Sequence, residues 1–315
     1  MASALDLSIV IATHNRSASL ARLIEGLAGQ VNAPPFEVII GDNGSCDETF
    51  EVIERARTRL SIRCVREDRP GKSRALNAAI KLARGDLFVF TDDDVLPRPD
   101  WLAQLYAAAR QFQKYNIFGG RIDVDLAAVP AWIQKSFNLM GPLTSAHDKG
   151  SAVVPYGYGT YPFGPNMAIR RHLLKGVSSP FPVYIGPGTS QPVGDESFFL
   201  VQFSPAHADD RLFVPSASVF HENKPENVFF ISSLKRCFLL GRCHAWLTLP
   251  PVARRPDELE SVPKLIVDRL KTCQSIRELC CLSARFIGYR WGRRELRTGR
   301  IPNIVSASRS NTPFH

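Results

Sequence analysis

The chain has 315 residues, 44% of them hydrophobic, 10% aromatic and 22% charged, which describes an ordinary folded protein rather than a disordered, collagenous or disulfide-stapled one. Lys and Arg number 39 against 30 Asp and Glu, a net charge of +9, and no apolar run reaches the roughly 18–20 residues needed to cross a bilayer. The 7 cysteines, an odd number without a Cys-x-x-Cys pair, fit free thiols in a reducing cytoplasm better than a zinc site or a disulfide framework. The first apolar stretch runs into His14-Asn15-Arg16 rather than a small-residue cleavage site, so it does not read as a secretion signal.

Leu7–Thr13 is an apolar, β-branched run that predicts a buried strand. Ser17 then offers an N-cap to a helix in which Leu20, Leu23, Ile24 and Leu27 recur at helical spacing. Phe36–Gly41 predicts a second strand, Asp42–Asp47 a polar turn with Asp47 capping a helix to about Leu60, and Ser61–Arg66 a short strand. Gly71–Arg84 reads as a helix, Leu87–Thr91 as a buried strand ending in three aspartates, and Trp101 to about Tyr115 as a helix. Strands alternating with helices mean βαβ units and a mostly parallel sheet, and ligands bind such sheets outside the carboxyl ends of the strands. Thr13–Arg16, Asp42–Asp47 and Asp92–Asp94 all fall at those ends.

Further on, Ile117–Val124 is expected to be a strand leaving the core. Residues 125–192 are rich in Pro, Gly and Tyr, with little periodicity outside Asn166–Leu174, and a loop stretch of that length is usually functional or mobile. A strand over Leu212–Val219 ends at Phe220-His221. Helices are expected over Val228–Gly241 and about Val262–Arg294, before a Ser/Asn/Pro-rich tail from Ile301 to His315.

Asp92-Asp93-Asp94 carries the sharpest chemical signal. Side chains alternate along an extended chain, so Asp92 and Asp94 can face one side, roughly 6–7 Å apart at their roots. Two hard oxygen ligands at that spacing suit Mg²⁺ or Mn²⁺ bound to phosphates. A single acid there would fit a helix N-terminus, whereas three in a row repel one another and ask for a cation. Asp42 lies on a strand end, where it is a candidate acceptor of hydrogen bonds from a base edge. Arg69, Lys72 and Arg74 surround Gly71 and are candidate phosphate contacts.

Leu7–Arg16 (LSIVIATHNR), Val38–Asp47 (VIIGDNGSCD), Gly71–Asp86 (GKSRALNAAIKLARGD) and Phe88–Leu102 (FVFTDDDVLPRPDWL) together resemble family 2 glycosyltransferases in order and spacing. The resemblance covers roughly residues 6–245. It implies an α/β fold of the GT-A type: a mostly parallel central sheet flanked by helices, followed here by a helical C-terminal extension. It divides the chain into a catalytic domain over 1–250, with a nucleotide-sugar half to about 124 and an acceptor half over 125–250. A basic extension over 251–300 and a flexible tail over 301–315 follow.

The resemblance also implies roles. Thr13, Asn15 and Arg16 sit where the family wraps the nucleotide, and Asp42 where it meets the base, usually uracil. Lys72 and Arg74, with Asp92 and Asp93, join the nucleotide-sugar site. Asp92 and Asp94 match the ends of the Asp-x-Asp motif, which holds Mn²⁺ or Mg²⁺ and the diphosphate. Gly164 and Asn166, in Phe163–Ala168, match the acceptor-side Gly-x-Asn-Met-Ala segment. Gly194-Asp195-Glu196 resembles the family's Gly-Glu-Asp, whose last acid is the general base of inverting members. Here the order is reversed, so register favours Glu196 and residue type favours Asp195. The other acid is expected to accept N–H bonds at a helix start and keep a low pKa. His221 is a candidate third metal ligand.

The implied reaction is inverting, metal-dependent transfer from a nucleotide-diphosphate sugar, UDP-linked in most of the family, to a polysaccharide or lipid-linked saccharide. Two rival readings fit less well. A nucleotidyltransferase or a dinucleotide enzyme would want a glycine-rich loop after the first strand, and Ala12–Arg16 has no glycine. A nucleic-acid-binding module would use the basic C-terminus but leave the three strand-end clusters unexplained, so no nucleic-acid partner is expected. Residues 252–300 hold 12 basic and 6 acidic residues, interleaved with Phe286, Tyr289 and Trp291. That composition suits an interfacial helix on the anionic cytoplasmic membrane face, and equally a helix packed on its own domain.

Overall fold

Residues 6–136, 139–205, 208–222, 225–247, 273 and 275–298 are described by the computed structural model. The expected helical stretch over 251–272 and the tail over 301–315 lie outside those residues. Strand β1 (Leu7–Thr13) runs between β2 (Phe36–Asp42) and β4 (Leu87–Asp92), and β3 (Ile62–Arg66) follows β2, all four parallel. The side chains of β1, β2 and β4 are buried on both faces, which is why these strands read as continuous apolar runs rather than alternating ones, whereas the edge strand β3 is only partly buried. Leu7, Ile9 and Ile11 join one core cluster with α1 (Ser17–Ala28), α2 (Thr49–Ala56) and α4 (Trp101–Gln111). Val10, Phe88 and Phe90 join another with α3 (Lys72–Ile80) and α7 (Asp195–Phe203).

The sheet continues past β4 with long-range pairings. Its order is β3-β2-β1-β4-β8-β6-β9-β5, where β5 is Val95–Pro97, β6 is Ile117–Val124, β8 is Met167–Arg170 and β9 is Arg211–His221. A short β7 (Val154–Pro155) pairs with β9. Instead of leaving the core, Ile117–Val124 sits between β8 and β9, with Ile117, Phe118 and Ile122 buried. The periodic stretch at 166–174 contributes β8, antiparallel to both β4 and β6.

Two local expectations change for physical reasons. Helix α3 stops at Ile80 rather than Arg84, because the chain must come back to start β4. Gly85 packs so closely on β1 that an added Cβ would lie 2.5 Å from the Leu7 carbonyl carbon. The backbone N–H groups of Arg84 and Gly85 there donate to Ser8 Oγ. Ser17 is the first helical residue of α1 rather than its cap. Asp47 serves both starts, accepting the Ser17 N–H at 2.9 Å and the Thr49 N–H at 3.2 Å.

The chain divides into two compact units. The first holds the sheet and falls within residues 1–126, 144–183 and 195–223; the second falls within 127–143, 184–194 and 224–315. Two short helices, α5 (Ala131–Gln134) and α6 (Met140–Thr144), precede β7 in the chain. In the second unit, α8 (Phe230–Leu247) packs on α9 (Ile276–Thr298) through Gly241, Gly288 and Gly292, where any Cβ would collide with the facing helix. Ion pairs from Arg242 to Glu295 and a Ser136–Glu278 hydrogen bond of 2.5 Å tie the unit together.

Candidate functional site

The end of β4 is where the site begins. The strand stops at Asp92, and Asp93-Asp94 form a turn into β5. Because β5 pairs with β9, Val95 lies opposite His221, and the Glu222 N–H donates to the Asp94 carbonyl at 2.9 Å. Asp92, Asp94 and His221 thereby place one ligand atom each within 4.8 Å of one another. The convergence of Asp92 and Asp94 arises from the turn, not from strand alternation. Asp93 points elsewhere: its carboxylate accepts Thr13 Oγ1 and Arg16 Nη1, both at 2.8 Å. Arg16 also donates to Asp94 at 2.6 Å.

These contacts set the charge states. Burial opposes ionisation of Asp94, but His221 at 3.4 Å and the Arg16 guanidinium outweigh it and hold its pKa at about 2. Burial is the largest influence on Asp93 and pushes its pKa up, against the Arg16 charge. For His221 burial disfavours the charged ring, yet the carboxylates of Asp94 and Asp92 raise its pKa. His221 Nδ1 is buried and has no partner among the described residues. Two carboxylates and an imidazole whose Nε2 faces Asp94 form a donor set that fits Mn²⁺ or Mg²⁺.

Lys72, at the start of α3, bridges two parts of the chain. Its Nζ lies 2.7 Å from Asp92 Oδ1 and 3.2 Å from Glu196 Oε1. Burial opposes its charge, and the surrounding carboxylates raise its pKa well above the ordinary value. Glu196, in the first turn of α7, is pushed up by burial and pulled down further by Lys72, so its pKa is lowered. With Glu196 as the base, as register favours, Asp195 is the acid expected to keep a low pKa. Instead burial, then the Glu196 charge, raise it well above the carboxylate range, and its Oδ2 has no partner among the described residues. Gly164 makes room for this pair, since a Cβ there would lie 2.5 Å from Glu196 Oε1.

The other candidate residues separate into edge and scaffold. Asp42, buried at the end of β2, accepts the Ser45 N–H at 2.9 Å and faces Arg66 Nη1 at 3.3 Å. Asn15 has φ +50° and accepts the Cys46 N–H at 2.8 Å, locking the turns after β1 and β2 together. Arg74 lies in the first turn of α3, beside Gly71. Asn166 does not line a binding surface. It is fully buried, donating to the carbonyls of Arg121 and Ala217 and accepting from Trp101 Nε1 at 2.9 Å. Its amide is spent joining β6, β9 and α4. Arg66 was not singled out, although parallel register places it opposite Asp42 and would have found it.

With this geometry in place, comparison with known proteins is decisive. The family model "Glycosyl transferase family 2" matches residues 8–177, more than half of the chain. The chain belongs to that family. The hyaluronan synthase of Pasteurella multocida is 34% identical over 121 residues, which are 38% of this chain and 12% of that relative. The chain thus spans only a small part of the length of the curated relative it matches. Among solved structures, the Pyrobaculum calidifontis mannosyltransferase PcManGT, in complex with GDP-Man and Mn²⁺, aligns with TM-score 0.58 at 19% identity. It covers 93% of this chain and 79% of its own. S. aureus TarS 1-349 in complex with UDP aligns at 0.51 and 17%, covering 94% and 92%. The fold is the GT-A glycosyltransferase fold.

Proposed function

We propose that this family 2 glycosyltransferase moves a sugar, with inversion, from a nucleotide-diphosphate sugar to a polysaccharide or lipid-linked saccharide. The observation that carries the reading is the meeting of Asp92, Asp94 and His221 within 4.8 Å, with Lys72 linking Asp92 to Glu196. Asp92, Asp94 and His221 would hold Mn²⁺ or Mg²⁺. When bound, the metal supplies Lewis-acid stabilisation of charge on a departing diphosphate. Asp42, Asn15 and the Asp93-braced Arg16 form the nucleotide side, and a uracil base fits Asp42 as an acceptor. Lys72 and Arg74 add positive charge on the phosphate side. Glu196 takes the proton of the acceptor hydroxyl as that oxygen attacks the anomeric carbon opposite the leaving diphosphate.

Support for a nucleotide-sugar donor comes from the ligands of the structural neighbours, UDP and GDP-Man. We assign residues to about 124 to donor binding, residues 125–250 to the acceptor side, and the basic stretch after 250 to an accessory role on the cytoplasmic face of a membrane. The exposed Ile287 and Trp291 of α9, beside Arg290 and Arg294, favour contact with anionic lipid. Tyr289 does not take part, being buried against Ala245 with Phe286 packed on it. No helix among the described residues is long and apolar enough to cross a membrane. Sedimentation with anionic but not neutral vesicles at low salt tests the contact, and equal sedimentation with both rejects it.

A thermal-shift screen of nucleotide sugars with and without Mn²⁺ tests the main reading. A ligand at 100 times its Kd adds about 2.7 kcal/mol of apparent stability. Stabilisation by one nucleotide family, dependent on Mn²⁺, is the expected result. No response to any nucleotide sugar would reject the donor assignment.

A further inference from the structure

The opposite end of β4 carries a second concave site that the glycosyltransferase reaction does not use. Leu87 pairs with Arg170, placing the last residue of β8 beside the first residue of β4. Asp86 and Asp92 are six residues apart along the strand, about 20 Å. Between α3, the start of β4 and the segment after β8 lies a groove of about 630 Å³. That volume falls within the range of small-ligand sites, roughly 300–1,000 Å³.

Its lining joins an apolar floor to a cationic rim. Ile80, Phe88 and Leu174 form the floor, while Lys81, Arg171 and Lys175 stand exposed around it. Arg170 is also among the lining residues, but its charge is turned to the other face of the sheet. Its guanidinium donates to the carbonyls of Tyr115 and Ala109 and lies over the Phe118 ring, with no carboxylate partner. Asp86 is the one carboxylate among the lining residues. Among the described residues Lys81, Arg171 and Lys175 have no ion-pair partner.

Arg171 is also held in place. Its backbone N–H donates to the Asp86 carbonyl and its Nη1 to the Arg84 carbonyl, each at 2.9 Å. The rest of its guanidinium fork has no partner among the described residues. Elsewhere in the first unit Arg16, Arg22, Arg59, Arg63 and Arg66 each meet a carboxylate. A concave cluster of unmatched cations focuses positive potential, and an oriented guanidinium fits phosphate oxygens.

We propose that this groove is a second ligand site, specific for a phosphate ester that carries an apolar group. The phosphate meets Arg171, Lys81 and Lys175, and the apolar part covers Phe88 and Leu174. A phospholipid headgroup and a soluble organophosphate share this chemistry.

Calorimetric titration with EDTA present tests it, because no divalent metal then assists binding at Asp92 and Asp94. The probes are dihexanoyl phosphatidic acid, below its micelle concentration, and phenyl phosphate, a soluble ester with an apolar group. The parent protein is expected to bind at least one probe at one equivalent. Lys81→Glu/Lys175→Glu should weaken that binding about tenfold or more, with the Mn²⁺-dependent response to nucleotide sugar unchanged. Lys81→Arg/Lys175→Arg should retain it. Tighter binding of the phosphatidic acid assigns the site to a lipid ester, and equal or tighter binding of phenyl phosphate assigns it to a soluble phosphate ester. The single variants Lys81→Ala and Lys175→Ala replace the double variant if that fails to fold. A parent that binds neither probe, or charge-reversed protein that binds both as the parent does, overturns the proposal.

Discussion

The two acidic runs of the first unit, Asp92–Asp94 and Asp195-Glu196, hold consecutive carboxylates in opposite ways. Every acid of the first run meets a cation or hydroxyl: Lys72 at Asp92, Thr13 and Arg16 at Asp93, Arg16 and His221 at Asp94. The second run shares one cation, Lys72, which contacts Glu196 and leaves Asp195 Oδ2 without a partner among the described residues. Adjacent buried carboxylates cannot both stay ionised on one counter-charge, so burial and repulsion fall on Asp195. The first run is therefore braced by cations and a hydroxyl, with Asp94 held charged at its end. The second favours charge on Glu196 and disfavours it on Asp195.

The largest expected effect separates the acids of the second run. Glu196→Gln should cut transfer to acceptor about 10²–10⁴-fold with donor and metal binding retained, as loss of a positioned general base does. Asp195→Asn replaces a carboxyl whose pKa is raised with an amide of the same shape, and should be much milder. Parallel measurement of transfer and of nucleotide binding decides the matter. A dead Asp195→Asn beside an active Glu196→Gln would reverse the roles, and two active variants would move the base elsewhere.

Next in size is Asp94→Ala, which should cost about 10²–10³-fold in rate, the range seen when one electrostatic contact to developing charge is removed. The metal dependence of donor binding should vanish with it. Asp42→Ala should weaken nucleotide binding and leave the Mn²⁺ titration unchanged. An Asp94→Ala enzyme with normal rate and normal Mn²⁺ response would break the contrast between the two runs.

What the sequence made legible follows from how local each signal is. β1, β2 and β4 are buried on both faces, and β1 to β4 alternate with helices, so composition and period place them without long-range information. The meeting of His221 with Asp94 depends on β5 pairing with β9 across more than a hundred residues, and no period records that. The same holds for β6, whose place between β8 and β9 is set by pairing partners rather than by its own residues. Asn166 misled for a related reason. The resemblance of Phe163–Ala168 to a family segment put it on the acceptor side, yet its partners are carbonyls brought in by other strands.

Asn166→Ala consequently belongs to stability rather than to the site. It would leave the Arg121 and Ala217 carbonyls and the Trp101 N–H without their partner, at about 1–3 kcal/mol for each buried group left unsatisfied. Chemical denaturation should show a lower midpoint with an unchanged slope. Unchanged stability accompanied by loss of acceptor affinity would return Asn166 to the acceptor side.

The smallest effect comes from a carboxylate outside both runs. Asp47 accepts N–H groups at the starts of α1 and α2, and its hydrogen bonds with Thr49 and then Ser17 outweigh burial to lower its pKa to about 2 from 3.8. A lowered folded-state pKa means that the contribution is fully present above the unfolded value, near pH 4. It is lost as pH falls through about 2. Replacing a cap of this kind costs about 1 kcal/mol. Asp47→Ala should therefore lower Tm by about 2–4 °C at pH 6, with a gap to the parent that narrows by pH 3. Asp47→Asn keeps an acceptor oxygen at the same place without a titrating charge, so its Tm should show less of this dependence on pH. A gap for Asp47→Ala that stays constant from pH 6 to pH 3 would mean that the side chain acts through shape alone. In that event ionisation matters only where a carboxylate faces cations, as in the aspartate run at the end of β4.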